Sequence, residues 1–125
     1  MVELASVQYR NAIQACMKDR HQCPPSLFVD AHMGLGECYD DLKNYRESIS
    51  QYRRVLELMP DREQRMWALY RMARGSAKVN DDATTKKTIT ELKSAGDADF
   101  WAKVVDYVIG GTHWSGQNQA YLSRN

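Results

Sequence analysis

Residues 31–60, AHMGLGECYDDLKNYRESISQYRRVLELMP, constrain the chain more than any other stretch. Apolar residues recur at intervals of three and four on both sides of Lys43 and Asn44, the pattern of two amphipathic helices joined by a tight turn. Gly34 and Gly36 fall inside the first of these helices, where each costs about 1 kcal/mol relative to alanine. Two glycines so placed make sense if another helix packs directly on the backbone at that level. Pro60 closes the second helix, because proline has no amide hydrogen with which to continue it. A chain built around such a hairpin is helical, and nothing in the hairpin points to a reaction.

The same spacing runs outward in both directions. A leading helix is expected over residues 3–18, with Leu4, Val7, Ala12, Ile13, Cys16 and Met17 gathered broadly on one side. Pro24 and Pro25 end it, and Ser26 stands where it can cap a second helix over about 27–41, whose stripe is Phe28, Leu35, Tyr39 and Leu42. The third helix, 45–59, turns Ser48, Ile49, Tyr52, Val55, Leu56 and Met59 inward. Asp61 and Gln64 have the spacing of a capping box and open a fourth helix to about residue 79. Asn80, Asp81 and Asp82 form the next turn, and a fifth helix follows over about 83–94. Its only large apolar residues are Ile89 and Leu92, amid several threonines, so it reads as peripheral. A sixth helix from residue 98 carries Phe100, Trp101, Val104, Val105 and Ile109, and Gly110 and Gly111 stop it before a polar tail.

At 125 residues, with 43% of them hydrophobic, the chain fits one compact domain with a modest core. Its 17 basic and 16 acidic residues leave a net charge of +1, so the global charge that would favour nucleic acid or an anionic membrane is missing. Any electrostatic preference is local. The three cysteines, Cys16, Cys23 and Cys38, are odd in number and form no CxxC pair. Cys16, His21 and Cys23 make only half of a zinc site, and Cys38 sits among helical apolar residues as a small filler, so neither a metal nor a disulfide framework is expected. No apolar run approaches the roughly 18 residues of a membrane span, and the first residues lack a signal-like core. The chain therefore reads as soluble, without an address, and equally as a piece excised from something longer.

An internal repeat is present. Tyr9-Arg10-Asn11-Ala12-Ile13 recurs as Tyr45-Arg46-Glu47-Ser48-Ile49 at an offset of 36 residues, and Pro24 recurs as Pro60 at the same offset. A third, degenerate copy appears when Leu35-Gly36 is laid on Met72-Ala73, which aligns Lys43-Asn44 with Asn80-Asp81 and Tyr52 with Ile89. With these residues in hand, the stretch LGECYDDLKNYRESISQYRRVLELMP resembles a tetratricopeptide repeat. That family has a period of about 34 residues and a pattern of Leu-Gly, Tyr, a small residue, an aromatic and a closing Pro. Here the positions are Leu35, Gly36, Tyr39, Ser48, Tyr52 and Pro60, while His32 stands where the pattern usually has Trp.

The resemblance implies an all-α, tetratricopeptide-like α-solenoid of antiparallel helix hairpins, about six helices in all. The expected organisation is a helical-repeat domain over 1–110, with a half repeat at 3–25, a strong repeat at 29–62, a degenerate repeat at 63–96 and a capping helix at 98–110. A polar tail occupies 111–125. The leading helix lacks the first helix on which it would pack in such a repeat, so its apolar side should be open. Either the chain is cut from a longer array, or the tail folds back, or another copy or a partner covers that side.

Solenoids of this family line a concave groove with the first helices of their repeats. In the strong repeat that face carries Asp30, Met33, Glu37, Asp40 and Asp41, an acidic wall. The matching positions of the degenerate repeat are Trp67, Tyr70, Arg74 and Lys78, with Arg71 beside them, a basic and aromatic wall. Such a groove suits a helix or extended peptide of mixed charge. A solvated face, or a Trp67 buried in the core, is the plainer reading of the same residues. The Lys and Asn clamp with which some family members hold a carboxyl terminus is replaced here by Met33 and Glu37. His21, His32 and His113 are not accompanied by a spaced nucleophile and carboxylate, and no glycine-rich phosphate loop follows a strand. The expected role is therefore a non-enzymatic protein-binding scaffold or adaptor without a cofactor. Self-association through the unpaired first helix or the capping helix, and RNA binding through Arg71, Arg74, Lys78 and the aromatics, stand as alternatives, the second disfavoured by the neutral charge.

Overall fold

The computed structural model describes residues 2–58 and 60–94, and these are all-helical. The five helices are α1 (Val2–Lys18), α2 (Pro25–Asp41), α3 (Tyr45–Glu57), α4 (Arg62–Lys78) and α5 (Asp82–Ser94), with no strand among the described residues. The fold class is the one the repeat implied. The expected sixth helix, the tail and the inward position of Met59 lie outside the described residues. Backbone contacts divide the chain into two compact units, Met1–Ala68 and Leu69–Asn125, the boundary falling within α4.

In the first unit α1 packs on α2, and α2 on α3. Ile13 and Cys16 of α1 bury against Phe28, Ala31 and Leu35 of α2, with Tyr39 and Leu58 packed at the edge. The two glycines of α2 explain how three helices fit together. A Cβ at Gly34 would collide with the ring of Tyr9 from α1, and a Cβ at Gly36 would lie 2.6 Å from the ring of Tyr52 from α3. Residues two apart on a helix point to nearly opposite sides, so each glycine admits one neighbour. Tyr52 is fully buried there, and its hydroxyl donates to Asp40 Oδ2 at 2.6 Å.

The turn between α2 and α3 is closed by backbone hydrogen bonds. Lys43 takes a positive φ of 59°, its amide donates to Asp40 O at 2.9 Å, and the Asn44 amide donates to Tyr39 O at 2.8 Å. That pair of bonds is a Schellman stop. The start of α2 differs from the sequence expectation: Pro24 and Pro25 occupy the cap and first helical positions, and Ser26 lies inside the helix rather than capping it. Proline suits that place because its fixed φ is already helical and the missing amide hydrogen would be unpaired anyway. The box at the start of α4 forms as expected, with Gln64 N donating to Asp61 Oδ1 at 2.8 Å and Asp61 N to Gln64 Oε1 at 3.0 Å.

The cysteine reading needs correction, because Cys16 and Cys23 are joined by a disulfide. The turn after α1, held by bonds such as Gln22 N to Asp19 O at 3.3 Å, brings Cys23 back onto the inward face that carries Cys16, with 5.0 Å between the Cα atoms. The odd cysteine count is resolved by Cys38, which is free and buried.

In the second unit α4 ends with the same device as α2. Asn80 has φ 60°, its amide donates to Ala77 O at 3.2 Å, and Asp81 N donates to Ser76 O at 2.9 Å. Asp81 then caps α5 through its Oδ1, which accepts from Thr84 N at 3.2 Å. The threonines of α5 are not simply surface residues: Thr85 and Thr88 are buried beside Ile89 and Leu92, and Thr85 Oγ1 bonds Ser76 Oγ of α4 at 2.7 Å.

The two glycines separate in their response to alanine. Gly36→Ala displaces a ring with nowhere to go and is expected to lower stability by about 1–3 kcal/mol, despite alanine's better helix propensity. Gly34→Ala costs clearly less, because Tyr9 is 36% exposed and its ring can swing outward. Urea denaturation of the two variants checks the order.

Candidate functional site

Four of the expected groove residues meet in one cleft of the first unit, of about 330 Å³. Met33 and Glu37 reach it from α2 and Trp67 from the second turn of α4, with Asp30 beside them. Asp30 and Met33 lie three residues apart, and Glu37 four further on, so all three share the same face of α2. Gln64 Nε2 donates to Asp30 Oδ1 at 3.0 Å and ties the start of α4 to that face. Trp67 keeps 39% of its surface exposed, which removes the reading of this ring as core.

The remaining predicted residues lie elsewhere. Asp40 is turned to α3, where its carboxylate accepts the Tyr52 hydroxyl, and Asp41 is exposed in the last turn of α2; neither lines the cleft. Tyr70, Arg71 and Arg74 are half-buried and Lys78 is exposed, all four on the part of α4 that belongs to the second unit. The cleft also holds residues that sequence reasoning missed. Tyr9 enters it together with Gly34, on whose backbone the ring rests, and Asp61 and Glu63 add two carboxylates from the segment that opens α4. The glycine at position 34 signalled a close neighbour but not which one. The capping role of Asp61 was legible, and its second place in the cleft was not.

Among the described residues no three of His, Cys, Asp and Glu converge closely enough to hold a metal ion. The carboxylates of the cleft are therefore spread around it rather than gathered at a point. A second hollow, of about 240 Å³, lies over the disulfide, where the Arg20 guanidinium stands 5.7 Å from the centre of the Phe28 ring. Burial, reinforced by Asp41 and Glu37, pushes the Cys38 thiol up, which keeps it protonated and unreactive.

His32 occupies a constrained position. It is 8% exposed, its Nδ1 lies 2.8 Å from Gln51 Oε1, and Phe28 meets it edge-on with 5.0 Å between ring centres. With Nδ1 as the donor, Nε2 is a buried acceptor with no hydrogen-bond partner. Desolvation lowers its pKa below the ordinary histidine value of 6.5; the Gln51 bond opposes the shift, and the nearby Arg54 adds to it. The site is built for neutral imidazole.

A helix pair closed by a Schellman turn, with glycine approach on the first helix and an aromatic of the second seated on it, defines a hairpin-repeat protein. Residues 29–62 match the family model of the tetratricopeptide repeat, and that match together with the all-helical structure supports a tetratricopeptide-family assignment. No curated protein and no solved structure gives a significant match to it. Tetratricopeptide repeats generally mediate protein–protein interaction and are typically scaffolds rather than catalysts. No helix among the described residues is long and apolar enough to cross a membrane.

The histidine yields a prediction with a definite sign. A base whose folded pKa is depressed contributes its full stability above the unfolded value, here 6.5, and loses it as pH falls through the folded value. The protein should therefore lose stability between neutral pH and mildly acidic pH, and His32→Phe should flatten that part of the profile. Denaturation midpoints of both proteins at pH 7.5, 6.5 and 5.5, chosen on the order of one unit apart around the histidine range, provide the comparison.

Proposed function

We propose that the chain is a non-enzymatic protein-interaction module that takes a segment of a partner, a helix or an extended peptide, in the cleft between α2 and the start of α4. The observation that carries this reading is the half-exposed Trp67 standing with Met33 and Glu37 around one hollow. An indole left partly open beside a flexible thioether is a contact-ready surface, since tryptophan is enriched among the residues that dominate binding energy. The hollow lies near the low end of the roughly 300–1,000 Å³ range of small-molecule sites. Its size suits one or two side chains of a larger ligand. The carboxylates around it disfavour a polyphosphate, which weakens the RNA reading at this place.

Selection of peptides from a random display library against the chain tests the proposal. Peptides that bind should lose about ten-fold or more in affinity to Trp67→Ala, a loss of about 1.4 kcal/mol, while the melting transition of the variant stays close to that of the parent. If Trp67→Ala leaves every selected peptide bound as tightly, the cleft is not the binding surface.

A second reading has its own support. Leu4 and Val7, one turn apart on α1, are 54% and 42% exposed. Self-association through this open side would bury them. Sedimentation should then show a dimer that Leu4→Glu with Val7→Glu converts to monomer, both positions being too exposed for the change to unfold the chain. A wild-type monomer at high concentration removes this reading.

A further inference from the structure

The cleft also carries information on what the partner must present, resting on the reading of it as a binding surface. Of the described residues of this unit that line it, the four charged ones, Asp30, Glu37, Asp61 and Glu63, are all acidic. Two aromatic rings, Trp67 and Tyr9, stand among them and are 39% and 36% exposed. We propose that the cleft holds a cationic side chain, lysine or arginine, projecting from the partner segment, with its apolar stem along Met33 and Trp67 and its charged head among the carboxylates.

Each part of the arrangement selects for that chemistry. The negative face of an indole or phenol ring attracts a guanidinium or ammonium placed over it, and tryptophan does so best. Lysine and arginine both have methylene stems that pack on apolar surface while the head stays with polar groups, which matches a hollow lined by Met33 and Trp67 and ringed by acid. An anionic partner group is disfavoured by four like charges. A bare metal ion is the other cation that acid clusters hold, but no three of His, Cys, Asp and Glu converge closely enough here. Spread carboxylates beside flat rings fit a cation that is itself extended. Glu63, exposed at the start of α4, and Glu37, exposed on α2, bracket the hollow from two helices and supply charge without being part of the core.

The selected peptides decide the matter. Those whose binding depends on Trp67 should each contain a lysine or arginine whose replacement by glutamine weakens binding by about ten-fold. Glu37→Gln with Glu63→Gln should weaken the same peptides several-fold and flatten the fall of affinity with salt, since part of the attraction between exposed charges is screened. Circular dichroism melts of the double variant confirm that it folds. Peptides that need Trp67 yet bind equally well after their basic residue is replaced overturn the cationic pocket and leave the cleft as a binding surface. A double variant with unchanged affinity and salt dependence does the same. If no selected peptide depends on Trp67, the binding reading of the cleft fails and this inference fails with it.

Discussion

The first unit depends on two aromatic rings lying directly on the backbone of one helix. Tyr9 on Gly34 and Tyr52 on Gly36 set how near α1 and α3 approach α2, and both approaches close with the loss of any side chain larger than hydrogen. Glycine weakens an isolated helix, so the dispersion contacts of the rings must offset a cost of about 1 kcal/mol at each position. The Tyr52 hydroxyl then needs a partner, because a phenol cannot be buried without one, and Asp40 one turn beyond Gly36 supplies it. Burial, close approach and the hydrogen bond are thus one arrangement seen at three atoms.

The turns repeat as strictly as the packing. Lys43 and Asn80 hold equivalent left-handed positions, and the amides around them bond the same carbonyls counted back from the helix end. Neither is glycine, the residue that adopts that conformation most readily, so each turn is held by its hydrogen bonds against a local preference. The second unit keeps this turn geometry around a different interior. Where the strong repeat buries Ser48 and Tyr52, the second unit buries Thr85 and Ile89, and the Thr85 hydroxyl finds Ser76. Small polar residues persist at that level because helices in close contact leave room for a hydroxyl that can bond locally.

What the sequence made legible were the features with a fixed local spacing. The glycine pair, the Asp61 and Gln64 box and the two turn positions each depend on residues within a few positions of one another, and each appears in the structure as read. What escaped depends on the third dimension. Cys16 and Cys23 lie on either side of a helix end, and only the path of the turn brings their sulfurs together; a count of cysteines carries no such path. Asp40 reads as one more member of an acidic face until the ring of Tyr52 is known to reach it. Thr85 and Thr88 look like surface in a helix with two large apolar residues, and become core because their hydroxyls can return a bond to the carbonyls of Asp81 and Thr84 on their own chain.

The cleft follows from the same constraint that builds the fold. A side chain at position 34 would push Tyr9 away from α2, so the glycine that permits packing also places an aromatic ring within reach of Met33 and Trp67. The capping box acts similarly at the other edge. Asp61 must sit at the start of α4 to satisfy amides that have no partner within the helix, and a helix start favours negative charge nearby, which Glu63 adds. Acidity at this edge is therefore partly a requirement of helix initiation, and the Gln64 side chain, whose Oε1 completes the box while its Nε2 reaches Asp30, fastens that edge to α2. Recognition of a cation would use charges that the helix start already favours. The ring nearest such a cation is Trp67, which keeps 39% of its surface open at the cleft.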